Sequence, residues 1–380
     1  MRNPFVYGEV VPLAAFADRV VELDRLVTDL SSGQKVFLIS PRRYGKSSLI
    51  RRTLASLERR GLLTIDLTVA SYSSYLAFLE GYARAVASAE TPWDRARAWL
   101  RQALGAARPD IRVEPDQAGA RLTVAFPSVT TPREVERLAP EVFALPGKLA
   151  AARRRRVVVA LDEFQAIGGF DGGTVEHALR AAIQRQRDVG YVFAGSEPTL
   201  MERMLGPKRP FYKAGPVMRL GRIPPDEFAA FVEARFTKTG ITPEAGTGAA
   251  IVELAGNMPY DVQRLAHEAW DDAHAAGRSR ITEDDLHRTL RRLLSQNDTL
   301  FEELWQRLTL VQRATLRAVV LHDGRALLSA DVRGRYRLGG TSTVQAALTA
   351  LTREDIVARE EDRYLVNDSL LREWVARRTF

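Results

Sequence analysis

Cysteine is absent from the 380-residue chain, which excludes disulfides, thiol chemistry and any cysteine-based zinc site. The five histidines, at 177, 267, 274, 287 and 322, are scattered, so a metal cluster is not expected. No apolar run approaches the roughly 20 residues needed to span a bilayer. The residues Met1–Phe5 carry no apolar signal-peptide core. A cytoplasmic protein without membrane attachment is the expectation. Lysine is rare: six residues (35, 46, 148, 208, 213 and 238), so that 49 of 55 basic side chains are arginine. Such a bias follows a GC-rich genome as readily as it follows function. The net charge of +8 permits nucleic-acid binding without requiring it. What is plentiful is ordinary: 46% hydrophobic and 27% charged residues describe a soluble globular protein, and the length suggests two or three domains.

Against that background one junction stands out. The apolar strand Val36–Ile39 runs into Ser40-Pro41-Arg42-Arg43-Tyr44-Gly45-Lys46-Ser47-Ser48, followed by an amphipathic helix over Leu49–Arg60. Strand, basic glycine-containing turn and helix form the layout of a phosphate-binding loop, whose backbone N–H groups and helix N-terminus face the polyphosphate. Lys46 is expected to reach the β- and γ-phosphates of ATP, and the Ser47 hydroxyl to ligate Mg2+. The usual first glycine, five positions before Gly45, is Ser40 here, and Pro41 supplies no N–H. A second motif supports the first. The apolar run Val157–Leu161 ends in Asp162-Glu163, as a buried parallel strand ends at an active edge. Asp162 is expected to hold magnesium through water, and Glu163 to polarise the attacking water as general base. Two acids at a strand end are also commonly no more than solvated side chains; the loop upstream selects the functional reading.

Along the chain, helical spacing at Ala17–Leu26 precedes the loop strand, and Leu62–Leu67 follows it as a second strand. A helical stretch from Tyr75 to Leu104 breaks near Pro92. Ile111–Glu114 and Arg121–Phe126 read as a hairpin around Asp116–Gly119. A helix from Pro132 and the basic run Arg153–Arg156 lead to the Asp162 strand; a helix over Val175–Asp188 and the strand Tyr191–Ser196 follow. Alternating strands and helices imply a parallel sheet covered on both faces, with ligands at the carboxyl ends of the strands. Ser40, Asp162 and Ser196 all fall at such ends. Pro224–Leu294 is all helical, including Glu283–Leu293, with Gly256-Asn257-Met258-Pro259-Tyr260 breaking the run. Beyond 300, three helices (Leu310–Leu321, Leu328–Tyr336, Thr341–Leu351) precede two short strands, Ile356–Arg359 and Arg363–Val366, in the winged-helix pattern.

These motifs together resemble the archaeal-type ATPase family of the AAA+ and STAND group, allied to the origin-recognition ATPases. The most specific pieces are Asn3-Pro4-Phe5-Val6-Tyr7-Gly8, the loop from Ile39 to Ser48, Leu161-Asp162-Glu163-Phe164-Gln165 and Gly256–Tyr260. The resemblance implies an α/β P-loop NTPase core (1–222), a helical lid (223–296) and a C-terminal winged helix (297–380). It implies binding of ATP and ADP across Ser40–Ser48, hydrolysis carried by Lys46 and Glu163, and a γ-phosphate sensor at Ser196. It also implies that Arg264 reaches over the nucleotide, and that Arg209 is the finger completing a neighbour's site in a homo-oligomer. Lys208 and Arg203 are not separable from Arg209 on sequence. Arg42 and Arg43 either add charge near phosphate or line a DNA-facing edge. Duplex DNA would be met by Ser342, Thr343, Gln345 and Thr349 on the third helix, with Arg333, Arg335, Arg337, Arg353, Arg359 and Arg363 around it. The local balance is weak: residues 301–380 hold 13 arginines against 11 acids, and Glu360-Glu361-Asp362 occupy the wing tip. A winged helix also serves as a protein-contact or autoinhibitory module, so a protein partner is the alternative expectation.

Overall fold

The computed structural model describes residues 2–8, 19–89, 93–116, 119–170, 173–360 and 362–378. The expected helix start at Ala17, the break near Pro92, the hairpin residues Gln117 and Ala118 and the wing residue Glu361 lie outside them. The chain divides into two compact units, one over Arg19–Gly221 and the other over Met1–Asp18 with Arg222–Phe380.

The first unit is α/β. Its elements are α1 (Val20–Ser31), β1 (Lys35–Ile39), α2 (Lys46–Arg59), β2 (Leu63–Thr68), α3 (Tyr75–Ser88), α4 (Trp93–Ala103), the hairpin β3 (Asp110–Asp116) and β4 (Gly119–Ala125), α5 (Pro132–Phe143), α6 (Leu145–Arg153), β5 (Val157–Asp162), α7 (Thr174–Ile183), β6 (Val189–Gly195), α8 (Pro198–Met204) and β7 (Val217–Arg219). The sheet runs β2-β5-β6-β1-β7 and every pair in it is parallel. β5 and β6 are buried along their whole length, as strands covered on both faces must be, which accounts for their unbroken apolar runs. Phe37, Phe193, Phe164 and Phe211 pack as one aromatic group beneath the carboxyl edge, with Phe37 and Phe193 stacked at 4.9 Å. Register then sets the site: Ile39 lies opposite Gly195 and Thr68 opposite Asp162, so these strands end at one edge. α7 stops at Ile183, short of the expected Asp188, and a turn with a fully packed Gln186 side chain leads into β6.

The second unit contains α9 (Pro225–Lys238), β8 (Thr242–Pro243), α10 (Thr247–Leu254), α11 (Pro259–Ala275), β9 (Arg280–Ile281), α12 (Glu283–Arg307), α13 (Leu310–Leu321), α14 (Ala330–Tyr336), α15 (Thr341–Arg353), β10 (Val357–Glu360), β11 (Arg363–Val366) and α16 (Ser369–Arg377). The sequence spacing predicted neither β8 nor β9, a two-residue parallel pair whose register no hydrophobic pattern could reveal. α12 continues well past the expected Leu293, because Leu294, Phe301 and Trp305 keep the helical stripe buried to the extended residue Leu308. Helices α13, α14 and α15 followed by the antiparallel pair β10–β11 form a winged helix.

Two of the quoted motifs find their physical reason in this unit. Asn3 donates from Nδ2 to the His267 carbonyl at 3.0 Å and to Asp271 at 2.8 Å, and Tyr7 donates to Glu268 at 2.7 Å. Phe5 is buried, with its ring 4.8 Å from that of Phe236. In Gly256–Tyr260, Gly256 and Asn257 both take left-handed φ, and Pro259 starts α11. A Cβ at Gly256 would lie 2.9 Å from the Arg372 guanidinium on α16, and Arg372 itself donates to the Leu254 carbonyl at 3.0 Å. The motif is thus a helix-to-helix turn sealed by the winged helix.

Candidate functional site

The loop after β1 wraps its own helix N-terminus. Ser40 is fully buried and its hydroxyl donates to the Pro41 carbonyl at 2.9 Å, so it closes the loop's start where glycine is common. Arg42 and Arg43 are exposed, whereas the Tyr44 ring is buried. Arg43 and Gly45 hold left-handed φ values of 67° and 83°, and open space faces the Cα of Gly45, which leaves the loop accessible to a ligand on that side. Ser47 and Ser48, half-buried, lie in the first turn of α2.

At the end of β5 the acids meet this loop. Lys46, with 5% exposure, donates to Asp162 and to Glu163, the latter at 3.4 Å. Ser47 donates to the other Asp162 oxygen at 2.7 Å. Glu163 takes a left-handed φ of 52°, a conformation a non-glycine residue adopts only when its surroundings impose it. Its backbone N–H donates to Asp162 Oδ1 at 2.8 Å. Its other carboxylate oxygen accepts from Ser196 Oγ at 2.5 Å and from Gln165 Nε2 at 2.6 Å. Ser196, buried just past β6, is also 3.3 Å from the Gln165 amide nitrogen. Lys46, Ser47, Asp162, Glu163 and Ser196 therefore converge at one sheet edge, and each carboxylate accepts from three donors.

Arg209 is not in this group. Its guanidinium donates at 3.0 Å to Glu176, a carboxylate only 1% exposed whose pKa burial pushes upward against the pull of Arg209. Lys208 and Arg203 share the region but, among the described residues, make no such bond. Arg264 belongs to the other unit, on α11, half-buried near the Tyr7 hydroxyl. Burial and the neighbouring Glu268 push Tyr7 up to about 12.

Two residues escaped the sequence reading. Gln165 stands inside a quoted motif, yet nothing in its type signals that it bridges Glu163 and Ser196. Its other amide atom packs against Gly195, where a Cβ would come within 2.8 Å of it. Arg19, 5% exposed, donates to the carbonyls of Tyr44 at 3.0 Å and Gly221 at 2.8 Å and pairs with Glu22. Burial lowers its pKa, and Glu22 opposes that shift. It braces the phosphate-loop candidate from behind, and no local pattern announces it.

The donor set fits a magnesium nucleotide. Ser47 and Asp162 offer hard oxygen ligands side by side, and Lys46 offers a cation at the helix start. Among the described residues no group of three or more His, Asp or Glu could hold a metal by itself, so oxygens of a bound phosphate would have to complete the coordination. Among the same residues, no helix is long and apolar enough to cross a membrane.

On the winged helix, Ser342, Thr343, Gln345 and Thr349 are all exposed on α15. Around it, Arg335, Arg337, Arg353 and Arg359 are exposed, while Arg333 donates to the carbonyls of Leu328 and Gly339. Arg363 pairs with Asp323, Arg325 with Asp362, and Glu360 with Arg222.

Comparison with known proteins agrees with this architecture. A family profile described as "Probable winged helix domain" matches residues 299–377. No curated protein matches the chain. Among solved structures, the Walker-type ATPase of Pyrococcus abyssi superposes with a TM-score of 0.62 at 18% identity, covering 97% of this chain and 99% of its own. The Aeropyrum pernix ORC2 protein, solved in ADPNP-ADP complexes, gives 0.55 at 14% identity over 99% and 96%. The Aeropyrum pernix ORC1 protein, solved in complex with DNA, gives 0.52 at 14% over 97% and 95%. The chain thus has the fold of the Walker-type and origin-recognition ATPases: a parallel α/β P-loop core together with a C-terminal winged helix.

Proposed function

We propose that the protein is a magnesium-dependent ATPase switch whose nucleotide state governs a DNA-binding winged helix. The observation that carries this reading is the convergence of Lys46, Ser47, Asp162, Glu163 and Ser196 at the carboxyl edge of the sheet. The magnesium ion would neutralise charge on the phosphates and orient them. For the chain's own residues we assign the following work. Residues Ser40–Ser48 cradle the phosphates, with Arg42 and Arg43 at the open side. Lys46 leaves its two carboxylates for phosphate oxygens, and Ser47 and Asp162 would hold the metal, Asp162 through water. Glu163, released from Lys46, takes the proton of the attacking water, while Ser196 reads the γ-phosphate. Arg264 reaches the nucleotide from α11. Arg209 remains our finger candidate for a neighbouring copy, and to act it must give up Glu176. We keep 1–222, 223–296 and 297–380 as core, lid and winged helix, except that the segment Asn3–Tyr7 packs with the proposed lid, and we have lid and winged helix move together because a single hydrophobic cluster runs through both.

One observation favours a second reading, a nucleotide-gated protein whose winged helix contacts protein. The wing arginines Arg363 and Arg325 are already paired with Asp323 and Asp362, which leaves Arg359 as the exposed arginine of β10 to meet phosphates.

ATP turnover with magnesium, by wild type and by Glu163→Gln, with and without duplex DNA and with oligomeric state followed alongside, tests both. Turnover at least ~100-fold lower in Glu163→Gln, with ATP binding retained and with stimulation of wild type by DNA, supports the switch. Tight ATP binding with no hydrolysis under either condition would favour the gated scaffold.

A further inference from the structure

Because the sheet is wholly parallel, one edge gathers the strand starts just as the other gathers the proposed ATP site. The turns leading into β2, β5 and β6 lie side by side there, in the order of the strands. Arg59 and Arg60 precede β2, Arg154, Arg155 and Arg156 precede β5, and Arg185 and Arg187 precede β6. Against these seven arginines the same turns hold two acids, Glu58 and Asp188. The edge alone is worth a net +5, more than half of the whole chain's +8.

Helix C-termini do attract cations. Each carries about half a negative charge, and one basic residue in the last turn satisfies it. Arg59 plays that part on α2, with Nε 3.3 Å from the Ala55 carbonyl of its own helix. The remaining arginines exceed that need. Arg155 donates to the Gly61 carbonyl at 2.8 Å and Arg156 to the Ser31 carbonyl, stitching neighbouring turns together. Lys35 adds a further stitch at the start of β1, donating to the carbonyls of Gly33 at 2.7 Å and Gln186 at 2.9 Å. Gly33 is required at its place: with φ of 83°, any Cβ there would run into the Arg187 carbonyl. The turns are therefore a fixed platform. On it, Arg60, Arg154, Arg185 and Arg187 are exposed, and among the described residues their guanidiniums make no hydrogen bond or ion pair.

We propose that this edge is a second nucleic-acid surface, one that grips the phosphate backbone of a duplex without reading its sequence. Strands ~4.8 Å apart set the outer turns ~10 Å apart, a length of duplex that carries about six phosphate charges. A net of +5 matches it. Arginine suits phosphate through its planar fork, and its weak hydration lowers the cost of contact. A membrane surface fits less well, since these turns expose no large apolar side chain to insert between lipids. The proposal stands apart from the winged-helix reading, because its residues lie in the ATPase unit and no α15 residue takes part.

The test uses the full-length chain and a fluorescent 30-base-pair duplex, titrated from ~50 to ~200 mM salt without nucleotide. In Arg154→Gln/Arg185→Gln/Arg187→Gln the salt slope should fall by about 2 to 3 and affinity near 100 mM should drop at least ~10-fold, equally for scrambled duplexes. The corresponding triple lysine variant should regain most of the slope, and binding of a fluorescent ATP analogue should stay unchanged in both, which reports intact folding. A parallel variant, Arg353→Gln/Arg359→Gln, isolates the winged helix. If that variant abolishes duplex binding while the edge variant keeps wild-type slope and affinity, the edge proposal is overturned and the winged-helix reading survives. Retention on phosphatidylserine vesicles that depends on the three arginines, with duplex affinity unaltered, would overturn it as well.

Discussion

At the residue scale the general-base role we propose for Glu163 rests on how its carboxylate is held. Its left-handed backbone turns the carboxylate back over the sheet edge, where Ser196 and Gln165 donate to one oxygen and Lys46 faces the other. A general base works only when its lone pair is aimed, and misplacement by about an ångström costs on the order of 100-fold. Gln165→Leu keeps the volume near constant but removes the 2.6 Å donor. We expect turnover to fall about 10-fold with ATP affinity within twofold of wild type, since the Gln165 amide bonds to Glu163 and Ser196, residues outside the loop. Equal losses in affinity and turnover would instead mean that the loop had been distorted. Lys46, Ser47, Asp162 and Glu163 were legible in the sequence because each sits in a short contiguous pattern at a strand end. Arg19 was not legible. Its partners Tyr44 and Gly221 lie 25 and 202 positions away, and only the folded sheet brings the three together.

At the scale of elements, capping decides several boundaries that periodicity leaves loose. Thr131 and Glu134 form a reciprocal capping box at the start of α5, with Pro132 in its first turn. The Thr130 and Thr131 backbone N–H groups, each 2.9 Å from the Glu134 carboxylate, hold its pKa down at about 2. A carboxyl depressed in the fold binds protons more weakly there than in the unfolded chain, so the box contributes its full stability above pH ~4.5. That stability is lost as pH falls toward about 2. A site-resolved NMR titration should give Glu134 a midpoint near 2, and Glu134→Gln should remove this element's pH response between those values. A midpoint near 4.5 would mean that the box is open in solution. By contrast, the extension of α12 to Arg307 could have been read from Leu294, Phe301 and Trp305, but the polar run Ser295–Thr299 between them masks the stripe.

For the whole molecule, the alternation of strands and helices made the parallel core legible, and three helices before a hairpin made the winged helix legible. What sequence could not supply was the grouping. The segment from Asn3 to Tyr7 packs on α11 across more than 250 positions, and α16 seals the turn before α11, so the N-terminal motif, helices α9–α12 and the winged helix share one core. A second core fills the Arg19–Gly221 unit. Two separate cores predict two calorimetric transitions. ATP with magnesium at about 100 times its Kd should stabilise the unit that holds Lys46 by ~2.7 kcal/mol, a rise of roughly 5–11 °C for a unit of this size. Lys46→Ala should abolish that rise. The role we assign to Arg264 adds a sharper requirement, because Arg264 belongs to the other core: the second transition should rise with ATP in wild type and stay fixed in Arg264→Ala. A second transition indifferent to ATP in wild type would remove Arg264 from the nucleotide site, and with it the direct means by which bound nucleotide could act on the winged helix.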